Sequence, residues 1–594
     1  MMHKTVKALA AATVLAMGVA ACSSSGSSSS TSSTSTAKMG PPLVIVDNTG
    51  QVFAKTFNPY VSTSLGTEEN MQSLTYEPLL EFNLMKPTAA PAPWLATAYS
   101  WSDGGKTLTF TIRPGVKFSD GKPMTAADVA FTFNLLKGNT ALSSAAPGPT
   151  PLPTSATAPS ATSAVLTFAQ PEYANLFLIA STYILPQHIW QGVSNPATYA
   201  DANPVGTGPY QLGSYSSQKV TFKQNPYYWQ KSKVHVPEVI FPSYVSNTTA
   251  NPALNSGQIG YAGNNVANVQ TDYLNASPDN HTWTSGKPWF ADNNVVTLWL
   301  NVTKAPLNDP KVRLAISAGI NRQQLSSQGE TDYEPPATSS GGLLLPVDNA
   351  LLKQDYSNDL SPTGDAAKVT QLLQGDGYTK TGGKWMKNGQ PIKFSIEDPS
   401  AYTDYATDAQ LIANQLNALG FEVSFNGVQA TQWYNDFPAG NFESMIHWGQ
   451  QGPNPYYYFE NWLDSSLSAP VGKPAGGDYG RFSSPQAQAA LQQFAGSNDA
   501  ATQQQALNTL QDIVATQAPV IPLLYGAAWY EYSTKDYTGW PTESNQYNDP
   551  VPNSPYMEYT LLHLTPAATG AGRPPPTPTP TCSPRSAWTT RCGC

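Results

Sequence analysis

Between residues 23 and 581 the sequence has no cysteine; its four are Cys22, Cys582, Cys592 and Cys594. The body therefore has no disulfide framework and no thiolate metal site. Charge is scarce as well. Asp, Glu, Lys and Arg make up 12% of the chain, with a formal net charge of -9. A nucleic-acid partner needs basic stripes, and none is present. The six histidines (His3, His188, His235, His281, His447 and His563) are scattered without metal-ligand spacing. H-E-x-x-H, G-x-S-x-G and the phosphate-binding G-x-x-x-x-G-K-[ST] are all missing. No run after the first twenty-odd residues is long and apolar enough to span a bilayer. Asp and Glu fall mostly at turns and helix starts, where capping accounts for them. These absences point to a protein that is not an enzyme and needs no cofactor. One catalytic alternative stays open: a carboxylate pair that meets only in the fold, as in a secreted glycosidase.

What is present begins with a targeting signal, "MMHKTVKALAAATVLAMGVAAC". Lys4 and Lys7 precede a short apolar stretch, Ala8 to Ala20, and small residues lead into Cys22. The "VAAC" tetrapeptide resembles the bacterial lipobox. That resemblance implies a signal peptide over 1–21, cleavage before Cys22 and a diacylglycerol on its thiol. The Ser/Thr-rich stretch after it cannot bury a core and reads as a tether over 22–40. The chain is thus expected outside the cytoplasm, held on the membrane by lipid. At the other end, 566–594 is Pro/Thr-rich and reads as a disordered tail whose cysteines are idle.

The body of the chain mixes strands and helices, an α/β pattern without a clean repeat. Strands are predicted at "LVIV" (Leu43–Val46, ended by the turn "DNTG"), "TLTFTIR", "AVLTF", "KVTFKQN", "PEVIFPSYV", "VVTLWLNV", "FEVSF" and "VIPLLYG". Thr125 with Asp128 makes a T-x-x-D helix start. Asp309-Pro310 opens another helix with proline at its first position, and Asp365 caps a third. "DYATDAQLIANQLNALG" is amphipathic and stops at Gly420. Two further helices fit 486–494 and 503–514. In "VGTGPY" two glycines permit turns where a side chain would clash, and Pro209 fixes the exit. Arg313 is expected in a structural ion pair.

One stretch is unusually aromatic: "HWGQQGPNPYYYFENW", His447 to Trp462. Two prolines and two glycines break any regular period, so it reads as a loop following the strand "FESMIHW".

Five stretches, in order, carry a resemblance. "YEPLLEFN" (Tyr76–Asn83) is followed by "PWLATAYSWSDGGKTLTFTIRPGVKFSDGKPMTAADVAFTFNLL"; then come "ILPQHIW" and "NPVGTGPYQL" with "NPYYW". "LNVTKAPLNDPKVRLAISAGINRQQL" and "PVIPLLYG" complete the series. Together they resemble the peptide/nickel family of extracytoplasmic solute-binding proteins, family 5, which serve ABC importers. The resemblance covers about Leu43 to Leu564. It implies a periplasmic-binding-protein-like α/β fold of two lobes, hinged around a central cleft that closes on its ligand. Lobe one, with an extra subdomain, would run over 41–288 and be completed by 520–565; lobe two would run over 289–519. A monomer would capture a small-molecule solute and dock on a membrane permease driven by a cytoplasmic ATPase. A surface lipoprotein that only senses or adheres remains the other alternative.

Members of the family bind peptides, nickel chelates or oligosaccharides. In many peptide binders an aspartate just after this strand pairs with the peptide α-ammonium, which would be costly to bury alone. Here no acid appears before Glu460, and Gln450, Gln451 and Asn454 are neutral. Amides with rings suit sugars: hydroxyls pair with the amides, and C–H faces stack on the rings. The run from "GPNPYYYFENW" to "GGDYGRFSSP" also looks similar to cello-oligosaccharide binders of the family. Peptide and oligosaccharide both stand as ligand classes. The expected contacts are Trp448, Gln450, Gln451, Asn454, Tyr456, Trp433 and Tyr76, with Tyr457, Phe459 and Trp462 in the core of lobe two.

Overall fold

The computed structural model describes residues 38–86, 89–139, 142 and 151–568. Cys22, the signal, most of the tether and nearly all of the tail lie outside the described residues.

The central strand of the first lobe is Leu43–Val46. It is apolar on both faces, as a strand flanked by parallel neighbours must be. It pairs parallel with Glu238–Pro242 on one side and Tyr261–Ala262 on the other. Lys219–Gln224 and Tyr210–Ser216 extend this sheet at one edge, Glu531–Ser533 and Asn280–His281 at the other, giving seven strands. A second, four-stranded antiparallel sheet of Ala96–Ser102, Thr107–Ile112, Ser163–Thr167 and Ser155–Ser160 forms the extra subdomain. Helix Ala126–Gly138 packs on it and starts with the expected capping box of Thr125 and Asp128.

The second lobe is built on five strands in the order Glu422–Val428, Lys393–Pro399, Ser444–Trp448, Asp292–Leu300, Val520–Ala527. Asp292–Leu300 shows why both faces are covered. Val295 and Trp299 enter one core, whereas Val296, Leu298 and Leu300 enter the other. Alternation of side chains sends successive apolar residues to opposite faces, so each face needs its own helices. Pro310–Gly319, Ala366–Gly375 and Thr403–Leu419 cover one face; Tyr456–Leu463, Pro485–Ala495 and Ala500–Gln517 cover the other. Gly420 ends Thr403–Leu419 with φ of 102°, a left-handed cap that side-chain-bearing residues disfavour.

The chain crosses between the lobes twice. It leaves the seven-stranded sheet after His281 and joins the five-stranded one at Asp292, then returns between Ala527 and Glu531. The crossings are tied together where Ala528 N donates to Ala291 O at 2.7 Å.

Three expectations need correction. The lobe boundary at 519/520 is too early: Val520–Ala527 pairs antiparallel with Asp292–Leu300 inside lobe two. Its apolar run fits the doubly covered sheet, and the chain re-enters lobe one only after Ala527. The segment from His447 to Trp462 is not one loop. His447 and Trp448 end a strand, and Tyr456–Leu463 is a helix. The Pro and Gly residues end at Pro455, the N-cap, so they punctuate the approach to the helix and not its interior. Arg313, finally, makes no ion pair within 4 Å among the described residues. Its Nε donates to Gln517 O and Ala518 O, and its Nη1 to Leu307 O. The first two carbonyls close the helix Ala500–Gln517, where a guanidinium satisfies orphan acceptors and meets the negative end of the dipole.

Candidate functional site

Between the lobes lies a cavity of about 380 Å³. Its lobe-one wall starts where the central strand stops. Asp47, Asn48 and Thr49 follow Val46 at the carboxyl end of a strand with parallel neighbours, the usual position for ligands in open α/β sheets. Thr67 and Gln72 join from the two short helices that follow, Asn70 from the turn between them, and Asn247 and Asn265 from beyond the neighbouring strands. Asn293, Asn294, Gly526 and Ala527 come from strand ends next to the crossings. The lobe-two wall carries His447 and Trp448 from the end of Ser444–Trp448, and Asp404 and Tyr405 from the start of Thr403–Leu419.

The lobe-two wall is organised around His447. Its Nδ1 lies 2.7 Å from Trp448 O, a carbonyl that can only accept. Nδ1 therefore carries the proton and Nε2 holds a free lone pair. Trp433 stacks on the imidazole at 4.9 Å and 20°, Phe437 meets it edge-on at 4.9 Å, and Trp448 lies at 4.6 Å. Burial among these rings lowers the His447 pKa to about 4. The ring is neutral at physiological pH.

Two carboxyl groups line the cavity. Asp47 Oδ2 accepts from Asn70 Nδ2 at 2.6 Å and from Asn48 Nδ2 at 3.1 Å. Burial raises its pKa to about 7, against the lowering effect of the Asn70 bond. Burial also raises Asp404 to about 6, while the backbone N–H groups of Asp404 and Tyr405 pull it down. Among the described residues, no lysine or arginine lines the cavity. The polar atoms Gln72 Oε1, Asn265 Nδ2 and Asn294 Oδ1 are buried on its wall without a partner among the described residues.

Of the residues singled out from sequence, Trp448, Gln450 and Gln451 line this cavity, and Gln451 Nε2 donates to Asn293 O at 3.2 Å. Four do not. Trp433 is 1% exposed and stands behind His447, where it supports the wall without reaching the cavity. Asn454 Oδ1 accepts from Tyr456 N at 3.0 Å, in the turn that leads into the helix. Tyr456 is on the far side of that helix, stacked on Phe494 at 4.9 Å and 13°. Its hydroxyl donates to Glu460 Oε1 at 3.1 Å. Tyr76 is in a lobe-one core with Tyr60, Tyr183 and Trp190, its hydroxyl bonded to Asp201. Tyr457, Phe459 and Trp462 are buried in a lobe-two core.

The loop has no acid before Glu460, yet the cavity has Asp47 and Asp404, brought from segments remote in sequence. "DNTG" read only as a turn; its position directly after the buried strand "LVIV" was the available signal for Asp47. Nothing local marked Asp404, Asn265 or Asn294.

Residues 90–469 match the family described as bacterial extracellular solute-binding proteins, family 5. The nickel-binding periplasmic protein of Escherichia coli (strain K12) is 27% identical over 404 residues, 66% of this chain and 73% of that protein. A glutathione-binding protein of Salmonella typhi is 25% identical over 455 residues, 72% of this chain and 80% of that one. In fold, the chain is similar to a mannohexaose-bound periplasmic oligopeptide-binding protein of Thermotoga maritima, with a TM-score of 0.79 and 24% identity over 89% of this chain and 98% of that one. It is also similar to the oligopeptide-binding protein AppA of Bacillus subtilis in complex with a nonapeptide, with a TM-score of 0.72 and 19% identity over 89% and 100% of the two chains. Two lobes around a cleft, with the family match over most of the body, define an extracytoplasmic transport protein whose role implies a permease and an ATPase. The chain belongs to the bacterial extracellular solute-binding proteins of family 5 and is the substrate-binding component of an ABC importer.

Proposed function

We propose that the cleft captures an oligosaccharide and delivers it to the permease. One observation carries the reading: asparagine and glutamine side chains and aromatic rings dominate the cavity wall, and among the described residues no lysine or arginine lines it. A peptide carboxylate buried there would lose its hydration without gaining a cation, a cost of several kcal/mol for a desolvated charge. Sugar hydroxyls carry no charge and pair with amides in either direction. Gln72 Oε1, Asn265 Nδ2 and Asn294 Oδ1 supply two acceptors and a donor without a partner among the described residues. Trp448, half-buried at the strand end, offers a face for stacking. The mannohexaose-bound Thermotoga relative favours the same reading. A peptide remains the second reading, because Asp47 or Asp404 could take its ammonium. A thermal-shift panel of oligosaccharides and peptides decides: ligands that bind only the folded protein raise its melting temperature. Stabilisation by peptides alone would overturn the oligosaccharide reading.

The chain is also proposed to act as a monomer held at the membrane through lipid on Cys22. Cys22→Ser should release it into the medium; unchanged membrane association would refute the anchor.

A further inference from the structure

The two carboxyl groups of the cavity face no cation. Asp47 and Asp404 are 5% and 6% exposed, and neither forms an ion pair within 4 Å among the described residues. Each is backed by further buried carboxyl groups. Glu69 is buried beside Asp47 and Glu68, and its pKa is raised by burial and then by those two charges. Asp398, Asp408 and Glu334 are buried near Asp404, and the pKa of each is raised by burial and then by the Asp404 charge. Asp404 Oδ1 is buried on the wall and has no hydrogen-bond partner among the described residues. An acceptor that is desolvated and unpaired is costly unless a donor meets it, and a charged donor meets it best.

We propose that the natural solute is an oligosaccharide bearing a free amino group, whose ammonium is received by Asp404 on lobe two, with Asp47 on lobe one as the second carboxyl of the same cavity. The proposal rests on the oligosaccharide reading above and sharpens it. The neutral amides read the hydroxyls, and the two carboxyls select the amine. The absence of lysine and arginine from the wall then has a use, since any cation there would repel the ligand. Both carboxyls titrate near neutrality, Asp404 at about 6 and Asp47 at about 7, so an arriving ammonium favours the ionised form of each.

Titration calorimetry at pH 7 with the tether-free body tests the proposal. The probes are the tetramers of glucosamine, of N-acetylglucosamine and of glucose. The glucosamine tetramer should bind at least tenfold tighter than either neutral tetramer. Asp404→Asn should shrink that preference to threefold or less. Asp47→Asn provides a second variant should Asp404→Asn melt early, and it should reduce the preference in the same direction. Equal or tighter binding of the neutral tetramers overturns this inference and leaves the oligosaccharide reading standing. A preference that survives in both variants overturns it too. Binding of peptides with no saccharide bound overturns both readings together.

Discussion

Gln51 of lobe one donates from Nε2 to the hydroxyl of Tyr402 of lobe two, 3.2 Å away. Both side chains are buried, and Tyr402 also lines the cavity. The bond therefore joins the lobes beside the ligand site. A net hydrogen bond of this kind contributes about 1 kcal/mol. Tyr402→Phe keeps the ring and removes the bond. It should weaken binding of the solute about fivefold, through faster dissociation, with little change in melting temperature. Stopped-flow fluorescence measures this; an unchanged dissociation rate would show that the contact does not hold the ligated form.

Trp433 and Trp448 are neighbours with different duties. Trp433 is 1% exposed among Tyr402, Phe437 and His447, so removing it opens a cavity in the wall. Trp433→Ala should cost about 3–5 kcal/mol of stability in urea unfolding. Trp448 is half-buried and faces the cleft. Trp448→Ala should cost less stability and at least tenfold in affinity. The reverse ranking would exchange the two roles.

Glu77 gathers three donors on one carboxyl group. Its Oε1 accepts from Trp94 Nε1 at 2.8 Å, Tyr228 hydroxyl at 3.1 Å and Trp229 Nε1 at 3.1 Å. Glu77→Ala orphans these donors in lobe one, a cost of about 3 kcal/mol or more. Glu77→Gln keeps one acceptor oxygen and should lose less. Urea midpoints of the two variants measure the difference, and equal midpoints would mean the donors find other partners.

Many carboxyl groups are buried with no ion pair within 4 Å among the described residues, and their burial fixes the sign of the pH dependence. Burial raises Asp47, Glu77, Asp201 and Asp549 to about 7 and Glu68 and Glu558 to about 8. Each folded value lies above the unfolded one. The stability each contributes is therefore full below about pH 4 and is lost as pH rises through 7 or 8. His447 works oppositely: its depressed pKa gives stability that is present above about 6.5 and lost as pH falls through 4. The melting temperature should fall between pH 6 and pH 8.5, and Asp549→Asn should flatten that fall. A melting temperature that rises over this range contradicts the assignment.

Much of the fold was legible because local signals agreed with it. Thr125, Asp309 and Asp365 cap helices where the sequence placed them, and Gly420 stops one. The "VGTGPY" glycines were legible as sites of close approach. A Cβ on Gly206 would lie 2.0 Å from Thr75 O, and one on Gly208 2.5 Å from Leu74 O. The motifs "YEPLL", "PWLA" and "NPYYW" turn out to meet at Glu77, which explains their company without a ligand. The cleft was less legible. A stretch dense in rings looks alike whether the rings bind or pack, and Tyr456 packs because a helix beginning after Pro455 turns it away from the cavity. The cavity's carboxyl groups were hidden for another reason: Asp47 and Asp404 are 357 positions apart in numbering and line one cavity only when both lobes are folded.

The central claim is that this cleft holds an oligosaccharide and not a peptide. Titration of the tether-free body with gluco-, manno- and glucosamine oligomers, beside tri- to nonapeptides, tests it most directly. The account predicts saturable one-to-one binding of at least one saccharide series, lost or weakened tenfold in Trp448→Ala, and no heat from the peptides. Saturable binding of peptides with none from any saccharide would contradict it.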